Sequence, residues 1–223
     1  MKYYKYENPD GLNRHQLWLL ATSGMLSQKN RERHDVLLPE KEGNIQALKG
    51  SSQRALKRDY GINNLSDLAD TLKYFDEIVT LKAFQNRWEF SSPAEFTAFT
   101  KVNAKDKSIP NVVDMVHKYQ FNLPESDQAW HYGRCSWLIR HACYSGFINE
   151  TEAWQLLEEN AARIRQIFNS WESFGISYLA GAQYWKRKEY TAAAISSYKL
   201  DLNFLLTNKN SPWVQLAWDD YNN

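Results

Sequence analysis

The residues best suited to chemistry crowd into one stretch, Ala129-Trp130-His131-Tyr132-Gly133-Arg134-Cys135, followed by Arg140-His141 and, further on, Trp171-Glu172. On a helix, positions three and four apart share a face. Trp130 and Arg134 then become neighbours, and Asp127 stands beside Trp130 and His131. An imidazole that titrates near neutrality suits general acid–base work. A guanidinium holds carboxylates and phosphates through paired hydrogen bonds. Asp127, Trp130, His131, Arg134, Trp171 and Glu172 are therefore the expected polar cluster, with His141 as a further wall. It is a ligand groove, a structural site in which Arg134 bridges to Glu172 or a helix end with aromatic rings packed around its stem, or a partner-binding surface. Cys135, four residues after His131, adds a thiol–imidazole pair of the kind that makes a nucleophile, although buried cysteine is the commoner state.

Other chemistries find less support. His-Glu-x-x-His and paired histidines at i and i+4 are absent, and His131 and His141 would stand roughly 15 Å apart along a straight helix. His15, His34 and His117 are scattered, so no metal site is expected. There is no glycine-rich phosphate loop and no Gly-x-Ser-x-Gly elbow, and no cofactor is expected. Gly50-Ser51-Ser52 reads as a helix start whose free N–H groups could hold an anion, with ordinary capping the plainer account.

Charge excludes more. With 27 Lys plus Arg against 26 Asp plus Glu, no global field steers nucleic acid or anionic lipid. The clusters Lys49, Arg54, Lys57, Arg58 and Lys186-Arg187-Lys188 are short, and read as solvated helix faces or ends. No nucleic-acid partner and no membrane partner are expected. The N-terminus, MKYYKYENPDG, lacks the apolar core of a signal peptide. Cys135 and Cys143 would lie about 12 Å apart along a helix, too far for a disulfide. A cytoplasmic location is the expectation.

The elements that must position these groups are helices. Hydrophobic residues make up 43% of the chain, and 9 Trp, 13 Tyr and 10 Phe supply an aromatic-rich core. A first helix is expected over 12–28, then a charged loop over 29–44. Helices follow over 45–60, from Leu65, from Pro93, over 111–119, over 126–145, from Glu150, from Ser170, from Ala192 and briefly from Pro212. Gly61 and Gly146 stand where helices end; Asn64-Leu65-Ser66-Asp67 offers two possible caps, Ser91 or Ser92 and Asn149 or Thr151 can cap the helices that follow them, and Ser211 opens the last. The fold class is all-α or mainly α, a single compact multi-helix domain, with room for a small hairpin around Tyr3, Tyr4 and Tyr6. Residues 1–44 are expected to pack as a helix and loop on a helical domain of 45–223.

The same residues carry a resemblance. Ala129-Trp130-His131-Tyr132-Gly133-Arg134, Gly146-Phe147-Ile148 with Glu152-Ala153-Trp154, Ser170-Trp171-Glu172-Ser173-Phe174, and Tyr178-Leu179-Ala180-Gly181 with Trp185 resemble motifs of the enterobacterial YbeU/YbeR-like family of uncharacterised proteins, domain of unknown function 1266. Asp59-Tyr60-Gly61-Ile62-Asn63, ahead of a leucine-rich helix, is similar to another of its stretches. The resemblance spans roughly 55–218. His131 stands where the family usually has aspartate. No activity comes with the family, so the resemblance implies a fold group only. The leading functional expectation is a non-enzymatic protein-interaction or accessory module in a bacterial cell. The alternative is a small-ligand binder or enzyme using a groove around Arg134, His131 and Trp171.

Overall fold

Several helix ends follow local side-chain chemistry. The computed structural model describes residues 5–39, 45–78, 92–103, 105, 127–186 and 192–222, and among these there is no strand. Helix α1 is Arg14–Ala21 and α2 is Gly24–Asn30. They are followed by α3, Ile45–Tyr60, α4, Leu65–Glu77, and α5, Pro93–Val102. Then come α6, Gln128–Ser145, α7, Glu150–Ile167, and α8, Trp171–Trp185. Helices α9, Ala192–Thr207, and α10, Pro212–Gln215, lead into a terminal 3-10 helix, Trp218–Asn222. Asn64, Ser92 and Ser170 each accept from the backbone N–H three residues on. Asn149 and Glu152 form a reciprocal capping box. Gly61 and Gly146, with φ of +72° and +77°, end α3 and α6 in the left-handed conformation that glycine adopts without strain. Of the expected N-terminal hairpin, Tyr3 and Tyr4 lie outside the described residues, as does the expected helix over 111–119.

Helix α6 is the centre of the molecule. It packs against α2, α3, α4, α7 and α8, and fifteen of its eighteen residues are buried. A helix enclosed on every side shows little amphipathic stripe, so its polar residues must be satisfied internally or face a cavity. The seam with α8 is close because glycine stands on both helices. A Cβ on Gly181 would lie 2.1 Å from Trp130 Cβ, and one on Gly133 would lie 2.9 Å from the Tyr178 ring.

A second centre is aromatic. Trp171 stacks on Trp213 at 5.4 Å and meets Trp218 edge-on at 4.7 Å, with Trp18 5.0 Å away. Three of these indoles donate to backbone carbonyls, Trp18 to Trp218, Trp171 to Leu216 and Trp213 to Ala21. The rings thereby hold the C-terminal segment against α1 and α8, and this is the aromatic-rich core the composition implied.

Two local expectations are corrected. The single helix over 12–28 is two helices broken at Thr22-Ser23, whose hydroxyls turn back onto the carbonyls of Leu19 and Leu20. Gly24 is not the break. It sits where Trp213 approaches, since a Cβ there would meet the indole nitrogen at 3.0 Å. The expected surface loop, as far as it is described, is largely interior: Glu32, His34, Asp35, Val36 and Leu37 are buried.

Candidate ligand-binding site

Four elements converge on a cavity of about 640 Å³: Tyr60 from α3, Tyr74 and Phe75 from α4, Trp130, His131 and Arg134 from α6, and Gly181 and Trp185 from α8. Arg134 is its chemical centre. Its guanidinium carbon lies 4.3 Å from the centre of the Phe75 ring, 5.2 Å from Trp130, and 5.7 Å from both Tyr60 and Trp185. Such contacts stabilise a cation through the ring quadrupole, but they satisfy none of its N–H donors. Arg134 is only 8% exposed, yet among the described residues it makes no hydrogen bond and no ion pair. A mostly buried positive group whose N–H edge opens on a cavity is arranged to receive an acceptor from outside.

His131 forms part of the same wall, its ring 5.6 Å from Phe75. Burial, and then the charge of Arg134, push its pKa down to about 4. It is therefore a neutral imidazole at neutral pH rather than a poised acid–base group. The Asp127 carboxylate lies 3.9 Å from its Nε2 and is fully buried. His131 occupies the position where the resemblance has aspartate, and the carboxylate beside it is that of Asp127, one helical turn earlier.

The remaining candidates do not join this site. Trp171 lies in the tryptophan core, and Glu172 is exposed at the first turn of α8. About ten residues of helix, roughly 15 Å, separate them from Gly181 at the cavity. No Arg134–Glu172 bridge forms. Cys135 lines a different crevice, with Asp76, Tyr132 and Arg163. Burial pushes its thiol up to about 12, so a thiolate paired with His131 is not what the helix presents. His141 lies about two turns beyond Arg134 along α6, roughly 10 Å away, against Ser52 and Trp137. Gly50-Ser51-Ser52 is interior to α3, where N–H groups are committed to the helix, so it is no anion-binding start.

Sequence reasoning missed the cage itself. Tyr60 and Trp185 entered through the resemblance, and neither they nor Phe75 were singled out for a site. It also missed the structural arginine. Arg140 is fully buried and uses all five of its N–H donors, to the carbonyls of Arg33, Val36 and Leu37 and the hydroxyls of Ser23 and Ser27. Burial lowers its pKa to about 10, while the charges of Glu32 and Asp35 act in the opposite sense.

Residues 55–218 match the family model described as protein of unknown function (DUF1266). The chain belongs to this family. No curated protein and no solved structure matches it. Several residues that carried the resemblance, Tyr60, Trp130, Arg134, Gly181 and Trp185, meet at the one cavity. No helix among the described residues is long and apolar enough to cross a membrane. Among them, too, no three His, Cys, Asp or Glu side chains gather as a metal site would need.

Proposed function

We propose that this DUF1266 protein binds a small anionic molecule with a flat, apolar body in the Arg134 cavity. The observation that carries this reading is the guanidinium, caged by four rings and lacking an internal acceptor. A carboxylate or phosphate of the ligand would take the N–H edge of Arg134, and its body would lie against Trp130, Phe75 and Trp185. The volume, about 640 Å³, falls within the roughly 300–1,000 Å³ usual for small-molecule sites. A neutral His131 and a protonated Cys135 turned to a separate crevice support binding without acid–base or thiol chemistry at this cavity. The finer likeness to enterobacterial YbeU/YbeR-like proteins carries no activity, so it adds no ligand. Two free, buried cysteines suit the expected cytoplasmic setting.

The test is thermal-shift and calorimetric screening of aromatic carboxylates and aryl phosphates against wild type and Arg134→Met. A ligand at a hundred times its Kd should stabilise the wild type by about 2.7 kcal/mol and leave the variant unmoved. A wild type that no anionic compound shifts, or a variant that binds as well, would sink the reading. The protein-interaction reading keeps one specific support: Tyr74 and Trp185 at the cavity mouth are 60% and 63% exposed. In that case the acidic group entering the cage belongs to a partner protein, and Trp185→Ala should abolish partner capture by a protein that no free small anion stabilises.

A further inference from the structure

About two turns beyond Arg134 along α6 lies a second polar constellation. Ser52 Oγ is 2.9 Å from His141 Nδ1, and His141 Nε2 is 3.2 Å from Glu32 Oε1. The Trp137 indole N–H donates to Glu32 Oε2 at 2.9 Å, and its ring lies 3.8 Å from that of His141. The Ser145 hydroxyl donates to Ser52 Oγ at 3.1 Å. These contacts permit one consistent set of proton positions. Ser52 Oγ accepts from Ser145, so its own proton is directed at Nδ1. The imidazole then carries its proton on Nε2 and donates it to Glu32, which also accepts from Trp137.

Local backbone places the carboxylate. Arg31 ends α2 in the left-handed region at φ 58°, an uncommon conformation for a residue with a Cβ. The turn there is closed by the Glu32 N–H on the Ser27 carbonyl at 2.9 Å, and the Glu32 side chain is directed inward, fully buried. Strained non-glycine residues of this kind gather at functional sites. Ser52 and His141 also face a cavity of about 240 Å³, shared with Asn30, Ser51 and Tyr144.

We propose that Ser52, His141 and Glu32 form a nucleophilic triad for small carboxylic esters, distinct from the Arg134 site. The ring is turned relative to the serine-protease arrangement, with Nδ1 toward the hydroxyl and Nε2 toward the carboxylate, but the roles are the same. Ser52 Oγ attacks the ester carbonyl and its proton passes to His141 Nδ1. The tetrahedral intermediate collapses, the C–O bond to the leaving group breaks, and the departing alcohol takes that proton. Water, deprotonated by the same nitrogen, then attacks the acyl-serine, releasing the carboxylic acid and restoring the Ser52 hydroxyl. Glu32 is a positioning residue that holds the imidazole and steadies its cation. Ser52 sits mid-helix, so an oxyanion must be met by side-chain donors, of which Asn30 and Ser51 line the cavity. The small volume restricts the acyl group to a short one.

An alkyl fluorophosphonate tests this, since an activated serine displaces its fluoride and retains the phosphonate. Intact mass and peptide mapping of the full chain should find one adduct, on Ser52, absent in Ser52→Ala and in heat-denatured protein. p-Nitrophenyl acetate should be hydrolysed by the wild type and not by Ser52→Ala. Glu32→Gln should slow labelling about 10²–10⁴-fold with an unchanged near-ultraviolet circular dichroism spectrum. Absence of a Ser52 adduct on the folded wild type overturns the proposal, as does a folded Glu32→Gln labelled at the wild-type rate.

Discussion

Arg134 and Arg140 lie on the same helix, less than two turns apart and both buried, yet they are held in opposite ways. Arg140 has every N–H bonded to an oxygen, with Glu32 and Asp35 near enough to offset its charge. Arg134 has ring faces around it and no acceptor among the described residues. Desolvating a cation is costly unless hydrogen bonds replace the lost water. Arg140 recovers that cost within the fold. Arg134 recovers it only when something else supplies the oxygen. An arginine's role is thus read from its acceptors, and not from its depth or its neighbours in the chain.

The largest effect expected from this contrast is on Arg140→Met. The change strips five oxygens of their donor and removes the cation whose charge the nearby Glu32 and Asp35 offset. Breaking a buried charged network in this manner costs about 3–5 kcal/mol. At roughly 2–4 °C per kcal/mol for a chain of this size, the melting temperature should fall on the order of 10 °C. Urea unfolding that placed the variant within about 1 kcal/mol of wild type would erase the distinction between the two arginines.

His34 probes the Arg140 region by pH. Burial, and then the charge of Arg140, hold its pKa near 4 against an ordinary 6.5. As pH falls below 6.5 the unfolded chain takes up a proton that the folded chain refuses until about 4. Its contribution is therefore complete above 6.5 and drains away between 6.5 and 4, by up to about 3 kcal/mol. His34→Gln should flatten the fall in stability over that window. His131, held down to about 4 by burial and then by the charge of Arg134, acts in the same direction. An unchanged pH slope in His34→Gln would mean that the ring is not held neutral by its surroundings.

Gly181 sharpens the Arg134 side. An added Cβ would overlap Trp130 Cβ, which is not the far end of a flexible chain. Gly181→Ala should push α8 from α6, cost about 1–3 kcal/mol by overpacking, and weaken ligand binding by displacing a cage wall. Wild-type stability and affinity together would show that the seam is looser than its glycines imply.

How much of this was legible in the sequence follows from how local each cause is. The caps at Asn64, Ser92, Asn149 and Ser170 involve bonds spanning three residues, and reading them in the chain located the helices. Gly61 and Gly146 marked helix ends for the same reason. The arginine assignment had no local signal. The idea of a structural arginine was sound but attached to Arg134 and Glu172, because the carbonyls that fill that role lie on Arg33, Val36 and Leu37, over a hundred residues from Arg140. The His131–Cys135 pair failed for a related reason. On a helix buried all round, neighbours at i and i+4 can line different crevices, and these two do. The cage is likewise assembled from α3, α4, α6 and α8, and only its α6 residues stood together in the chain.

The smallest stability effect belongs to Arg134→Met, and its smallness is the point. The substitution forfeits ring contacts worth about 0.5–2 kcal/mol each at most, but it also removes a desolvated charge that no internal oxygen compensates. Methionine keeps an apolar stem against Phe75 and Trp130. The two terms nearly cancel, so the net change should lie within about 1 kcal/mol and lean toward stabilisation, as substitutions at binding sites often do. Paired urea unfolding of Arg134→Met and Arg140→Met measures the comparison directly. A loss of several kcal/mol at Arg134 would make it a fold determinant after all, and would move the search for a binding site to the exposed rings at Tyr74 and Trp185.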